Sequence, residues 1–397
     1  MATKKSRKGK GTSKSKSGQG GSRKKGAEPA SKLAPKRRSP AAVRAEIDGT
    51  SPVTLEEARA LVRAAVPTRA VAPARAIRRA APAEQPVALE LFGEERERLI
   101  AQRNKERAQQ LRDYQATMAI MKRRGVRKAQ PASGGAGRRR ALSADSGSFQ
   151  PLQVMAEGDS WFEYPVPFFG GGIVPRLEKR LGVPILNMAA AGDEVRFMLG
   201  VEQRKRLQQN LQSGCPAGGP WDVVLFSGGG NDIVDNPMAL WIRDFQQGAS
   251  PGSLINQPRF DSALGIVRAG YEDLIAMRDT LSPTTQLVFH CYDFAIPDGR
   301  GICGHGPWLK PALDLHRITQ PATAAAVVKE MLLQFKGMLD SLSAAHPGKI
   351  TIIPTQGTLD PKPSSWHNEL HPQSKGFDQF AGMFRDELKT LFPDRVI

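Results

Sequence analysis

The sequence predicts an α/β fold for residues 151–397, in which helices cover both faces of a mainly parallel sheet, preceded by a basic N-terminal arm. Two observations support this prediction. Short apolar runs alternate with stretches of helical periodicity after residue 150, a pattern typical of a three-layer α/β/α sandwich. The residues that build a core lie in the same part, because of 5 Trp, 4 Tyr and 16 Phe only Phe92, Tyr114 and Phe149 precede it.

Charge divides the chain at the same place. The 397 residues include 57 Lys and Arg and 39 Asp and Glu, and residues 1–150 hold 35 of the basic but only 13 of the acidic ones. Residues 1–50 are too polar to bury a core and are predicted to be a disordered basic tail. A basic, partly helical segment is expected over 51–130, followed by a glycine-rich flexible linker over 131–150.

Two helices are predicted in the basic segment. Thr54 and Glu57 have the spacing of a capping box and start a helix over about 54–66. A longer helix over 87–124 interleaves acidic and basic side chains, which indicates a solvent-exposed helix and a candidate coiled-coil arm. The charge of residues 1–150 predicts nonspecific contact with nucleic acid or another polyanion, and the alternative is a solvated tail.

Membrane and secreted classes are excluded at this stage. No stretch approaches the roughly 20 apolar residues of a spanning helix, and the basic N-terminus has no apolar segment behind it. The sequence therefore predicts neither a transmembrane segment nor a secretion signal. Its 3 cysteines show no pairing pattern, which favours a reducing, cytoplasmic location.

Strands and helices alternate through residues 151–397. Strands are expected over 152–156, 183–187, 223–226, 286–291 and 350–353. Helices are expected over 173–181, 195–212, 238–247, 261–281, 322–343 and, from an apolar stripe, 377–391. In a parallel sheet the reactive loops follow the carboxyl ends of the strands, so the residues after each apolar run are the candidates for a site.

Four motifs stand at such positions. They are Gly158-Asp159-Ser160, the isolated Gly192, Gly229-Gly230-Asn231-Asp232 and, near the C-terminus, Asn368-Glu369-Leu370-His371. In this order they resemble the motifs of the SGNH hydrolases, also called the GDSL esterase and lipase family. The resemblance covers residues 151–397 and none of the arm. It implies a flavodoxin-like three-layer fold and the hydrolysis of esters.

The resemblance implies a role for each motif. Ser160 is expected to be the nucleophile and His371 the base that takes its proton. The backbone N–H groups of Ser160 and Gly192 and the side-chain amide of Asn231 are expected to form the oxyanion hole, which stabilises the negative charge of the tetrahedral intermediate.

The orienting acid departs from the family pattern, which has Asp three residues before the histidine. This chain has Asn368 there, and three readings are open. Asn368 orients His371 through its amide oxygen, or Glu369 supplies the charge from a displaced position, or the site is impaired, since an Asp-to-Asn change costs about 10⁴ in serine proteases. Two other acids, Asp159 and Asp232, are expected to fix loops rather than to act in catalysis.

A long loop over 293–308 is predicted to bind substrate, because connections of this length usually act as lids or binding loops. The candidate substrate-binding residues are Trp161, Phe162, Tyr164, Phe294 and Trp308. The alternative is that these rings cap the core.

Neither a metal nor an organic cofactor is expected. His367 and His371 are four residues apart but lack the sequence of a zinc-binding helix. Cys291, Cys303 and His305 have a spacing that fits no common zinc site.

The sequence thus predicts a serine hydrolase that cleaves carboxylic esters, acyl or acetyl, through an acyl-Ser160 intermediate. A small-molecule, lipid or acetylated ester is the expected substrate. The alternative is a catalytically impaired SGNH-fold binding or scaffold protein whose basic arm contacts nucleic acid or another polyanion. The sequence leaves the acyl length and the oligomeric state open.

Overall fold

The centre of the structure, a computed structural model, is a sheet of five parallel strands. The strands are β1 (Val154–Gly158), β2 (Ile185–Asn187), β3 (Val223–Ser227), β4 (Gln286–His290) and β5 (Ile350–Ile353). They lie in the order β2-β1-β3-β4-β5, which is the flavodoxin-like order. Every residue of β1 and of β3 is buried, because helices cover both faces of the sheet.

The described residues also form α-helices. They are α1 (Pro40–Ile47), α2 (Leu55–Ala65), α3 (Val87–Arg124), α4 (Ile173–Leu181), α5 (Val195–Met198), α6 (Val201–Ser213), α7 (Gln257–Leu281), α8 (Lys310–Leu315), α9 (Pro321–Ala345) and α10 (Ser374–Leu391). On one face of the sheet α4 packs against α10. On the other face α7 packs against α6 and α9.

The structure describes residues 40–65, 87–127, 149–165, 171–302 and 304–396. The predicted disordered tail, residues 1–50, lies outside these ranges up to residue 39 and stays a prediction there, but its last part is wrong, because Pro40–Ile47 forms α1 with Val43 buried. The predicted linker over 131–150 lies outside them up to residue 148 and stays a prediction. No helix within the described ranges combines the length and the apolar character needed to cross a bilayer.

The predicted three-layer α/β/α fold is confirmed, and two helical regions differ from their prediction. The helix expected over 195–212 is interrupted by the extended backbone of Gly200, which separates α5 from α6. The prediction of a helix over 238–247 is wrong, because only a 3₁₀ turn at Asn236–Leu240 forms there. Directly after it, Ile242 pairs with Ile255 in an antiparallel bridge, and this pairing requires extended backbone.

The basic segment packs onto the sheet rather than extending into solvent. Helix α3 lies beside the edge strand β2, and its Tyr114, Met118 and Met121 are buried. The Tyr114 ring lies 5.8 Å from the Trp221 ring, and its hydroxyl lies 3.5 Å from Cys215 Sγ. Residues 40–65 and 87–127 therefore belong to the same compact unit as the sheet.

This packing corrects the interpretation of the C-terminal part of α3 as a solvent-exposed, coiled-coil arm. Tyr114, Met118 and Met121 recur at the spacing of one helix face, but only in the last turns of a 38-residue helix. Averaged over the whole helix, the charged residues dominate the pattern. The contact also covers β2, whose outer edge would otherwise expose unpaired backbone groups.

Helix α2 is fixed at its start as predicted. Thr54 N donates to Glu57 Oε2 at 2.8 Å, and Glu57 N donates to Thr54 Oγ1 at 3.2 Å, which completes the capping box. Arg59 then pairs with Glu178 of α4 at 2.7 Å. These contacts attach α2 to the outer helix layer.

Replacing Met118 by alanine tests the packing of α3. The side chain is fully buried, so the substitution is expected to lower the free energy of unfolding by about 2–5 kcal/mol, measured by urea denaturation of the full chain. The matched control Gln115→Ala, on the exposed side of the same helix, is expected to change it by less than about 0.5 kcal/mol. Equal effects of the two substitutions would contradict the packing.

Candidate active site

Ser160 lies in a tight turn at the carboxyl end of β1. Asp159 N donates to Ser227 O at 3.0 Å, so the turn stays close to the end of β3. Gly158 permits this approach, because a Cβ at its position would lie 2.7 Å from Ser227 O. The sequence thus places Ser160 at the edge of the sheet where parallel-sheet proteins bind their ligands.

His371 contacts the Ser160 hydroxyl. The distance from Ser160 Oγ to His371 Nε2 is 2.6 Å, and both side chains are buried. The Tyr164 ring stacks on the imidazole at 4.5 Å between centroids, and the Trp308 ring meets it edge-on at 5.9 Å. Burial lowers the pKa of His371 to about 3, so the imidazole is neutral and able to accept a proton at ordinary pH.

Asn368 faces the other nitrogen of this imidazole. Its Oδ1 lies 2.9 Å from His371 Nδ1 and also accepts the backbone N–H groups of Leu370 at 3.0 Å and His371 at 2.9 Å. These two donors fix the oxygen end of the amide toward the ring, while its Nδ2 donates to the Tyr164 hydroxyl at 3.2 Å. His371 Nδ1 therefore carries the proton, and Nε2 is left to accept the Ser160 proton.

The Tyr164 hydroxyl extends this row of hydrogen bonds away from Ser160. It accepts from Asn368 and therefore donates to His367 Nδ1, which lies 2.6 Å away. The row joins Ser160, His371, Asn368, Tyr164 and His367 without a carboxylate. No motif in the sequence indicated that Tyr164 or His367 takes part in this row.

Glu369 points away from His371. Its Oε2 accepts the backbone N–H groups of Trp308 at 2.6 Å and Leu309 at 2.7 Å, and its Oε1 accepts those of Gly299 at 2.9 Å and Lys310 at 3.0 Å. The structure contradicts the reading in which Glu369 supplies charge to the histidine. The carboxylate instead fixes the loop between β4 and α8 against the site, because it accepts from four backbone donors, one buried and three partly buried.

Replacing Glu369 by glutamine is expected to destabilise this loop. The amide end of glutamine cannot accept hydrogen bonds, so two backbone donors lose their partner and the free energy of unfolding falls by about 2–6 kcal/mol. Glu202→Gln, at a side chain 83% exposed, is the control and is expected to have little effect in the same urea titration. A large loss of kcat with unchanged stability would instead favour a direct role of Glu369 beside His371.

The expected oxyanion-hole donors come from three loops. Within the described part of the chain, neither the Ser160 N–H nor the Gly192 N–H donates to another residue. Gly192 has φ +84°, in the left-handed region that favours glycine. Asn231 follows β3 directly, and its Nδ2 donates to Asp193 O at 2.9 Å, which leaves its second amide hydrogen for a ligand. Their joint role in stabilising an oxyanion stays a prediction.

Asp159 organises the buried side of the Ser160 loop. Its Oδ1 accepts from Trp161 N at 2.9 Å and Ser227 Oγ at 2.8 Å, and its Oδ2 accepts from the Tyr292 hydroxyl at 2.6 Å. The Ser227 hydroxyl in turn accepts from His290 Nε2 at 2.7 Å. Burial raises the pKa of Asp159 to about 6. These contacts agree with the loop-fixing role expected for Asp159.

Tyr292 belongs to none of the four motifs, so nothing in the sequence indicated its part in the site. Besides donating to Asp159, its hydroxyl accepts from Gly230 N at 3.1 Å and so joins the serine loop to the loop that carries Asn231. Tyr292 lies just beyond the carboxyl end of β4, at the edge of the sheet where site residues are expected. Asp232 makes a similar connection, because its carboxylate accepts from Val195 N at 2.9 Å.

The five aromatic residues expected to bind substrate lie in different surroundings. Trp161 lines a cavity beside Ser160, and Tyr164 and Trp308 contact His371. Phe162 is fully buried against Phe384 in the core and does not reach the cavity. The Phe294 ring packs on the core beneath Lys329 Nζ, 4.8 Å from its centroid. For Phe162 and Phe294 the alternative of rings that cap the core fits the structure.

Metal-ligating side chains are not grouped at the site. Among the described residues, no three or more His, Cys, Asp or Glu lie together as a metal ion would require. Cys303 lies outside the described ranges. His367 and His371 make the hydrogen bonds given above, to the Tyr164 hydroxyl and to Ser160 and Asn368.

No protein-family model and no curated protein matches the chain. Solved structures do match, among them the lipase Lip_vut3 from a goat rumen metagenome, at 16% identity and a TM-score of 0.38 over 59% of this chain and 96% of that one. An extracellular lipase from Streptomyces rimosus matches at 15% identity and a TM-score of 0.39, over 59% of this chain and 99% of that one. A carbohydrate esterase family 3 protein from Talaromyces cellulolyticus matches at 12% identity and a TM-score of 0.36, over 61% of this chain and 99% of that one.

Proposed function

We propose that the chain hydrolyses carboxylic esters through an acyl-Ser160 intermediate. Ser160 Oγ attacks the acyl carbon as its proton passes to His371 Nε2. The bond from the acyl carbon to the leaving oxygen then breaks, and His371 returns the proton to the departing alcohol. A water molecule gives a proton to His371 and its oxygen to the acyl carbon, after which Ser160 leaves as the hydroxyl and the carboxylic acid is released.

The observation that carries this proposal is the pair of contacts on either side of the His371 ring. Ser160 Oγ lies 2.6 Å from Nε2 and Asn368 Oδ1 lies 2.9 Å from Nδ1. A general base must lie within hydrogen-bond distance of the proton that it takes and must present an unprotonated nitrogen. Asn368 supports the second condition, because its oxygen end holds the ring proton on Nδ1.

Asn368 also explains how the site can work without the family's aspartate. In serine proteases, the loss on exchanging the triad aspartate for asparagine is attributed to the wrong histidine tautomer. Here two backbone N–H groups fix the amide oxygen, so that particular cost is avoided. What is missing is the negative charge that would stabilise the imidazolium during the reaction. An active but slow enzyme is the expected result.

The test is hydrolysis of p-nitrophenyl acetate by the full chain, compared with Ser160→Ala. Activity that depends on Ser160 supports the proposal. Activity that is absent from both proteins on esters of every acyl length contradicts it and favours the binding or scaffold protein. In that case salt-sensitive retention on heparin or DNA would be the next measurement, since polyanion binding weakens with salt.

A further inference from the structure

A small, partly open cavity lies against the side chains of Ser160 and His371. Its volume is about 40 Å³. Its lining is mainly apolar, and the polar residues that border it besides Ser160 and His371 are Asp159, Asn231, Tyr292 and Asp293. The apolar side chains that line it and are each less than a tenth exposed are Ile233, Val234, Leu309, Val328, Met331 and Leu332.

The walls of this cavity belong to firmly packed elements. Val328, Met331 and Leu332 stand on α9, a 25-residue helix whose inner face is buried in the core. Leu309 is held by its backbone N–H, which donates to the buried Glu369 carboxylate at 2.7 Å. Because close-packed interiors resist expansion, the cavity volume limits the size of a group that it can admit.

The volume corresponds to very few atoms. A dry cavity of about 150 Å³ in a protein core holds one benzene molecule, or roughly 25 Å³ for each carbon. A cavity of about 40 Å³ therefore admits one or two carbons. Beyond the carbonyl carbon, an acetyl group has one carbon and a propionyl group has two, whereas an octanoyl group has seven.

We propose that this cavity is the acyl pocket and that it selects esters of two- or three-carbon acids. The proposal rests on the proposed esterase function and names its substrate class. With the acyl carbon bonded to Ser160 Oγ and its oxygen directed at Asn231, the short alkyl group enters the apolar cavity. A longer chain meets Leu332 and Met331 and is excluded. The leaving alcohol lies on the solvent side and is not limited by this volume.

The experiment compares p-nitrophenyl acetate, butyrate, hexanoate and octanoate, which share one leaving group, in the full chain. The kcat/KM is expected to fall at least about 100-fold from acetate to octanoate, since each excluded methylene costs about 10-fold or more. Leu332→Ala enlarges the cavity and is expected to lower the acetate-to-hexanoate ratio by about 10-fold or more. Val328→Ala removes fewer atoms and is expected to move the ratio in the same direction by less.

Leu339→Ala is the matched control. It makes the same change two turns further along α9, at a side chain that is equally buried but does not line the cavity. It is expected to lower the free energy of unfolding while keeping the chain-length preference of the wild type. Should Leu332→Ala fail to fold, the acetate-to-hexanoate ratio of Val328→Ala decides whether the cavity is the acyl pocket.

The outcomes separate the acyl pocket from the esterase function. Ser160-dependent hydrolysis in which octanoate is as good a substrate as acetate overturns the pocket and leaves the esterase proposal intact. The same shift in Leu332→Ala and Leu339→Ala also overturns it, because it would reflect general loosening of α9. Hydrolysis of none of the four esters, or hydrolysis independent of Ser160, is the failure of the proposed function itself.

Discussion

Replacing Ser160 by alanine is expected to lower kcat for p-nitrophenyl acetate by at least about 10³-fold, because the variant lacks the hydroxyl that forms the acyl intermediate. The rate is measured on the full chain above the rate of spontaneous hydrolysis. Thermal unfolding of the variant should resemble that of the wild type, since the hydroxyl is a small group. Ser253→Ala, on a surface turn, controls for nonspecific loss and should keep the wild-type rate.

His371→Ala is expected to cause a loss of similar size, and the double variant with Ser160→Ala should be no slower than either single one. Groups that act as one unit show this lack of additivity. Losses that multiply in the double variant would contradict the contact between Ser160 Oγ and His371 Nε2 as the working pair. A Ser160→Ala variant that keeps more than a tenth of the rate would remove the basis of the esterase proposal.

Replacing Asn368 by aspartate is expected to change both the rate and its pH dependence. In the wild type, burial lowers the pKa of His371 to about 3, so the neutral base persists into acidic solution and the acid limb of kcat/KM lies at low pH. A carboxylate at the Asn368 position favours the imidazolium. It should therefore raise the pKa of His371 and move the acid limb upward by about 1–3 pH units.

At pH 8 the same variant is expected to have a higher kcat than the wild type, by about 10²-fold. This gain is smaller than the 10⁴-fold or so found for the reverse change in serine proteases, because here the tautomer of His371 is already correct and only the charge is added. Asn236→Asp adds the same charge on an exposed turn and should change neither quantity. An unchanged acid limb, or a variant slower than the wild type, would show that Asn368 does not act through His371.

Most of the secondary structure could be read from the sequence because apolar periodicity is a local property. The predicted bounds of α3 and β5 agree with the structure at both ends. The capping box of Thr54 and Glu57 forms as its spacing predicts. The parallel direction of the strands also follows, since strands that alternate with helices form a parallel sheet. Their flavodoxin-like order was implied only by the resemblance of the four motifs to those of the SGNH hydrolases.

The positions of Ser160, Asn231 and His371 could likewise be predicted. Each stands beside an apolar run or before the last helix, and the carboxyl ends of parallel strands meet at one edge of the sheet. The sequence therefore determined which loops form the candidate site. It also determined that an asparagine stands where a charged group is usual.

The choice between Asn368 and Glu369 was decided only by the tertiary structure. These neighbours differ in what folds around them. Two backbone N–H groups turn the Asn368 oxygen to His371, while three N–H groups of the loop before α8 and that of its first residue donate to the Glu369 carboxylate. The packing of α3 on β2 and the size of the cavity beside Ser160 were decided in the same way. Local sequence fixes which groups are available, but buried donors and close-packed walls from distant segments decide where each group points.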